Sequence, residues 1–308
     1  MSRLNVLRAG MLTTIQDRGR WGYQSRGVPV AGPMDPCSHR LANALVGNDP
    51  GAAALEITLV GPALEFEDER IVAVAGAEFD VVLDGRSVPH LAPFLVAAGG
   101  HLRFGGRRKG TRAYLAIAGG IAVPLVLGSR ATHVLSAMGG LNGRALKSGD
   151  VLPLGEAGGR ISKRAAEAIV PLPDRQARIR VLPGPQTDYF SAGALDVLQS
   201  APYAIAQQSD RMAYRLDGPR LSHARGADII SDATPLGVLQ VPASGQPILL
   251  MADRQTTGGY PKIATVITAD MALAGQLGPG DTLTFVACTP LEAMAALIAQ
   301  ERAVMQIG

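Results

Sequence analysis

IVAVAGAEFDVVLDG (residues 71–85) decides the fold class of this chain. It is short and rich in Val and Ile, and it ends on an Asp-Gly turn signal, the pattern of a strand. LAPFLVAAGGHLRFG (91–105), TRAYLAIAGG (111–120) and DTLTFVA (281–287) repeat it. Glycine (37) and proline (21) punctuate such runs along all 308 residues. Many short strands bounded in this way predict an all-β fold, mainly strands with a few short helices, of the sandwich or barrel kind. Helical spacing is confined to a few places. SHRLANALV (38–46) sets Leu41, Leu45 and Val46 on one face, with Ser38 as N-cap and Gly47 as stop. PLEAMAALIAQ (290–300) is the second.

GEAGGRISKRAAEAIVPLPDRQAR (155–178) is polar, charged and proline-punctuated. It predicts a first domain over 1–156, a linker over 157–178 and a second domain over 179–308. The halves echo one another. RALKSGDVLPL (144–154) and QLGPGDTLTFV (276–286) each lead through a Gly-Asp turn into an alternating strand that would close its domain, as a duplicated β-domain requires.

The formal net charge is only +3 and aromatic residues make up 4% of the chain. With no Lys/Arg run interleaved with aromatics, nucleic-acid binding is not expected. The apolar runs are too short and broken for a membrane span. Cys37 and Cys288 form no CxxC pair and the N-terminus lacks a signal-peptide core, so a reducing, cytoplasmic setting is expected. The five histidines show no ligand spacing, so no metal is expected. GGRRKGT (105–111) has the wrong spacing for a phosphate loop, and no GxGxxG unit follows a strand. In SAMGG (136–140), Gly139 stands where a biotinylated lysine would be. The nucleophile signature of an amidase is missing too.

The densest polar chemistry lies in DRQTTGGYPK (253–262), between the apolar runs PILLMA (247–252) and IATVIT (263–268). A hairpin turn needs only one Gly or Asn. Gly258 and Gly259 let bare N–H groups approach a ligand, Thr256 and Thr257 offer hydroxyls, and Lys262 offers a cation for a developing oxyanion. Asp253 is placed to orient Lys262 or to accept a proton. The bland alternative is a hairpin with Lys262 in solvent. SDRMAYRL (209–216) sets Arg211 and Arg215 four residues apart as a fork for a carboxylate or phosphate, or as part of an Asp–Arg brace. Gln16, Asp17 and Arg18, in TTIQDRGRWGY (13–23), read either as loop bracing or as a polar cleft wall. Arg103, Arg107, Arg108, Lys109 and Arg112 read as a solvated hairpin tip.

Together TTIQDRGRWGY, GVPVAGPMD (27–35), RLANALVGN (40–48), ALEITLVGP (54–62), VLPGPQTDYF (181–190) and QPILLMADRQTTGGYPKIATVITAD (246–270) resemble one family over nearly the whole chain. It is the allophanate hydrolase subunit 2 family, also described as biotin-dependent carboxyltransferase family proteins, the C subunit of 5-oxoprolinase and the antagonist of the kinase inhibitor KipI. Ala213 departs from the glycine expected in the SDRMGYRL-like string. The resemblance implies two cyclophilin-like β-barrel domains. It also implies a non-autonomous subunit of an ATP-dependent 5-oxoprolinase, opening 5-oxo-L-proline to L-glutamate with a KipI-like subunit and a LamB/YcsF-like subunit. No cofactor is covalently bound, and ATP is used by the assembled complex, with its site on this or another subunit. The alternatives are a carboxyltransferase component passing carboxyl from carboxybiotin to a urea-like amide, and a regulatory antagonist of a KipI-like inhibitor. Under the first reading Lys262 and Asp253 are catalytic. Arg211, Gln255, Thr256, Thr257, Gly258, Gly259 and Tyr260 bind substrate.

Overall fold

A computed structural model describes residues 2–158, 161 and 166–306. Two compact units make up the chain: Met1–Trp21 with Ala31–Leu172 and Glu301–Gly308, and Gly22–Val30 with Pro173–Gln300. Of the 157–178 stretch expected as a linker, 159, 160 and 162–165 lie outside the described residues.

The first unit contains β1 (Arg3–Arg8), β2 (Leu12–Gln16), α1 (Pro36–Leu45), β3 (Ala54–Thr58), β4 (Ala63–Phe66), β5 (Arg70–Leu83), β6 (Arg86–Ser87), β7 (Pro93–Val96), β8 (His101–Ile117) and β9 (Val151–Pro153). They form one sheet with the spine β2-β3-β8-β4-β1-β9, while β5 pairs with β8, β6 and β7. The VAVA run of β5 is continuous rather than alternating because both of its faces are covered. Val72 and Val74 pack with Leu55, Leu115 and Ile117 in the main core. Ala73 and Ala75 pack with Leu41 and Leu45 of α1. That helix starts earlier than its sequence spacing suggests. Pro36 occupies the first turn and Asp35, not Ser38, is the N-cap, accepting from Ser38 N at 2.9 Å. Gly47 follows it in the left-handed region at φ +75°.

The basic cluster at 103–112 is not a hairpin tip. It runs inside the 17-residue β8, which stays paired with β5 through three register shifts between Gly76 and Val81. A side chain at Gly105 would put its Cβ 2.9 Å from the Asp80 carbonyl oxygen, so glycine lets the bulged strands stay in contact. Asp80 also pairs with Arg108.

Behind the sheet lies a buried polar network. The Tyr114 hydroxyl donates to Glu56 Oε2 at 2.7 Å and accepts from Asp35 N at 2.8 Å, and Met34 N donates to the same Glu56 oxygen at 2.8 Å. Burial, then the Glu56 charge, holds the Tyr114 phenol well above its ordinary value, so it remains a donor. Tyr114→Phe removes one donor from Glu56 and one acceptor from Asp35 without changing the core's shape. The expected cost is about 1–3 kcal/mol, read by urea denaturation.

The second unit contains β10 (Gln176–Pro183), α2 (Ala194–Ser200), β11 (Tyr203–Ile205), β12 (Ala213–Asp217), β13 (Asp232–Ala233), β14 (Val238–Gln240), β15 (Ile248–Leu250), β16 (Thr257–Gly258), β17 (Lys262–Val266), α3 (Met271–Gly275) and β18 (Thr282–Ala287). Seven strands close into a barrel in the order β10-β17-β14-β15-β12-β11-β18, and β13 and β16 form a separate two-stranded ribbon. Ile179, Val181, Tyr214, Leu239, Leu249, Ile263 and Phe285 are fully buried in this unit. α4 (Pro290–Met305) extends the helix expected at 290–300 by five residues. Thr289 and Glu292 start it as a reciprocal capping pair, Thr289 N donating to Glu292 Oε2 at 2.7 Å and Glu292 N to Thr289 Oγ1 at 3.2 Å.

The sequence echo between the halves is structural. Gly149 and Gly280 both turn at positive φ, +87° and +86°. The following aspartates accept from the backbone three residues back, Asp150 from Lys147 N at 2.7 Å and Asp281 from Gly278 N at 3.0 Å. The strands that follow differ in role. β18 joins β10 to β11 and closes the barrel, whereas β9 pairs with β1 at the end of the sheet spine. Both units are built mainly of strands, as the sequence predicts, but the closed barrel is the second. No helix among the described residues is long and apolar enough to cross a membrane.

Candidate functional site

The polar stretch 253–262 leaves β15 and enters β17, yet these strands are not neighbours in the barrel, because β14 lies between them. The connection is therefore not a hairpin. Its middle pairs with the ribbon strand β13, Asp232 opposite Gly258 and Ala233 opposite Thr257. Neither Gly258 nor Gly259 has a positive φ. What Gly258 supplies is room: a Cβ there would stand 2.6 Å from Gln240 Nε2 and 3.1 Å from Thr234 Cγ2.

Lys262 opens β17 with only 2% of its side chain exposed, far from the solvated lysine of a simple turn. Its Nζ donates to Asp232 Oδ2 at 2.6 Å. The Lys262 hydrogen bond is the largest cause holding the Asp232 carboxyl below its usual range, followed by the Ala233 N–H. An aspartate lowered on folding adds stability above the ordinary carboxylate range, and that share disappears as pH falls through its folded value. Asp232 is half exposed while Lys262 is buried, so the pair is a cation delivered inside and neutralised from the rim.

Asp253 is paired with Arg211. Its carboxylate takes both forks of Arg211, Nε to Oδ2 and a terminal nitrogen to Oδ1, each at 2.9 Å, and its own N–H donates to the Arg211 carbonyl at 2.9 Å. Both side chains are nearly out of water. A buried guanidinium demands a carboxylate of matching geometry, and Asp253 provides it. Arg211 is thus a brace for the loop rather than an open fork.

The rest of the loop hangs on Thr234. Arg254 Nε donates to the Thr234 carbonyl at 2.8 Å, the Thr234 hydroxyl donates to the Gln255 carbonyl, and Thr234 N donates to the Thr256 carbonyl at 3.0 Å. Gln255 Nε2 donates to Gln240 Oε1 at 3.3 Å, and Gln240 Nε2 reaches the Tyr260 carbonyl at 3.4 Å. Gln186 Oε1 accepts from Lys262 N at 3.2 Å. Thr257 and Tyr260 are exposed, and Thr256 and Gly259 partly so. Hydroxyls, side-chain amides and a buried cation are therefore held together on and around this loop, a set suited to a polarised carbonyl oxygen.

Sequence spacing alone missed Asp232, Thr234, Gln240 and Gln186. Gln240 carries a readable signal, a polar residue inside the otherwise apolar run VLQV (238–241). Asp232 carries none, because its pairing with Lys262 spans 30 residues.

Gln16, Asp17 and Arg18 lie in the first unit. Gln16 Nε2 donates to Thr14 Oγ1 at 3.0 Å and to the Thr132 carbonyl at 3.1 Å. Asp17 accepts from Gly19 N at 2.9 Å, from Ser129 Oγ at 2.6 Å and from Arg130 N at 2.5 Å. These bonds brace loops. Arg18 is exposed and meets Asp49 at 3.3 Å.

Residues 26–287 match the family described as Carboxyltransferase domain, subdomain A and B. The chain is 42% identical over 305 residues to the protein named as the C subunit of 5-oxoprolinase in Escherichia coli strain K12, covering 99% of this chain and 97% of that one. With the Haemophilus influenzae protein of the same name the figures are 36% over 290 residues, 94% and 93%. The solved structure of Kluyveromyces lactis urea amidolyase superposes with a TM-score of 0.94 at 34% identity, covering 99% of this chain but only 20% of that much longer one.

Proposed function

Because this chain belongs to the carboxyltransferase-domain family of subdomains A and B, we propose that it is the C subunit of a 5-oxoprolinase, a hydrolase that opens 5-oxo-L-proline to L-glutamate. The observation that carries this reading is the end-to-end match with the E. coli protein of that name, 97% of whose length is covered. The finer reading is an ATP-dependent complex in the cytoplasm with a KipI-like and a LamB/YcsF-like subunit, in which this chain alone is inactive. Opening the lactam breaks the ring C–N bond; the carbonyl carbon gains a hydroxyl from water and the nitrogen gains a proton.

In this scheme the 253–262 loop binds the lactam, and Lys262 meets the negative charge that grows on the carbonyl oxygen. Arg211 and Asp253 act through the loop as positioning residues. Gln240, Gln255 and the hydroxyls of Thr256 and Thr257 supply polar contacts. The test is reconstitution with both partner subunits, followed by glutamate release. ATP-dependent glutamate formation from the three proteins, and none from this chain alone, is the expected result. A correctly assembled complex that releases no glutamate overturns the reading.

The pH dependence of stability tests the pair. Asp232→Asn removes the carboxylate that neutralises a buried ammonium. The variant should unfold at a lower urea concentration than the parent near neutral pH. Because the Asp232 carboxyl is held below its usual range in the folded chain, the gap should close as pH falls and that carboxylate is protonated. Equal midpoints near neutral pH would remove Asp232 from the scheme.

The likeness to K. lactis urea amidolyase supports a second reading, carboxyl transfer to a urea-like amide. Transfer of labelled carboxyl from carboxybiotin to such an amide distinguishes it. A purely regulatory role, capture of a KipI-like inhibitor, would gain ground if Lys262→Ala left both capture and catalysis intact.

A further inference from the structure

Arg254 sits beside a fully engaged arginine and, among the described residues, has no carboxylate of its own. Arg211 has both forks taken by Asp253. The hydrogen bonds of Arg254 go only to carbonyl oxygens, Thr234 at 2.8 Å and Met251 at a long 3.5 Å. Burial without a counter-ion lowers its guanidinium to about 10. A partly buried cation held by one short bond and one long one, both to neutral carbonyls, is costly unless an anion completes it. The next residue carries the complementary defect: Gln255 Oε1 is buried with no hydrogen-bond partner among the described residues, an acceptor in want of an N–H.

We propose that Arg254 is the receptor for a ligand carboxylate and that the Gln255 amide oxygen accepts an N–H one carbon away from it. This rests on the reading of the 253–262 loop as the substrate site. Consecutive residues offering a cation and an acceptor match a ligand whose carboxylate lies on the carbon bonded to a ring N–H, as in 5-oxoproline. An orthophosphate fits worse, because its oxygens would face the lone pairs of Gln255. The Gln255 amide is held by a long bond to Gln240, 3.3 Å, and its last side-chain torsion is soft. Specificity for an acidic lactam over a neutral one thus resides in Arg254, separate from the Lys262 charge that serves the carbonyl.

The test is a side-chain and backbone NMR titration of the isotope-labelled full chain, with the Arg254 Nε–H signal assigned through Arg254→Gln. Added 5-oxoproline should move that signal saturably. 2-Pyrrolidinone, the same lactam without the carboxylate, should bind about tenfold to a hundredfold more weakly, the range of one hydrogen bond to a charged group. In Arg254→Gln the two ligands should bind alike. Equal affinity of the wild-type chain for both lactams overturns the proposal, as does tighter binding of orthophosphate than of 5-oxoproline. If 5-oxoproline moves backbone signals around Lys262 but not Arg254, the carboxylate assignment alone falls. If it moves no signal in 253–262, the assignment falls together with the loop's role as substrate site. The wild-type titrations decide the matter even if Arg254→Gln folds poorly.

Discussion

Asp253→Ala destabilises the second unit by about 3–5 kcal/mol, the cost of removing one member of a buried ion pair. The Arg211 side chain is 6% exposed and that of Asp253 10%. Truncating the aspartate takes the carboxylate from a guanidinium that is nearly out of water, whereas the pair itself contributes far less than this difference suggests. The asymmetry gives the measurement its power. In urea denaturation followed by probes in the barrel, Asp253→Ala should shift the midpoint strongly. The double variant Arg211→Met/Asp253→Leu, with both charges of the pair removed, should recover much of the loss. A single variant within about 0.5 kcal/mol of the parent would mean the pair is hydrated in solution and does not brace the loop.

Lys262→Met is expected to act on catalysis far more than on folding. It keeps the apolar stem in the buried position and leaves Asp232, half exposed, to be solvated by water. Removing the cation takes away charge stabilisation that operates only as the carbonyl becomes an oxyanion. The expected loss in kcat of the reconstituted complex is about 100- to 1,000-fold, with KM little changed. A near-normal melting temperature accompanying that loss separates chemistry from structure. If kcat holds while KM rises, Lys262 serves ground-state binding, and the oxyanion role is wrong.

Much of this architecture is legible in the order of the residues. The Val/Ile runs broken by glycine and proline encode strands locally, so the β-rich fold follows from them. The Gly-Asp turns at 149–150 and 280–281 repeat a local geometry, so the echo between the halves is visible too. DRQTTGGYPK (253–262) stands out because a connection with so many polar groups has more chemistry than a turn uses. The partners of those groups are another matter. Arg211 meets Asp253 across 42 residues and Lys262 meets Asp232 across 30, and nothing in the spacing of either string announces the match. The basic cluster at 103–112 shows the converse: its glycines look like a turn, but they serve a bulged strand because Asp80 crowds that spot.

The sequence by itself determined the strand-rich fold, the family and the loop that carries the polar chemistry. Each of these is written in contiguous residues, where local backbone preference and composition act. Only the tertiary structure decided which unit closes into a barrel, which carboxylate serves which cation, and that Arg254 has none among the described residues. Pairing of buried charges depends on which chain segments closure of the barrel brings within about 3 Å of one another, and that proximity exists only once the strands have found their order.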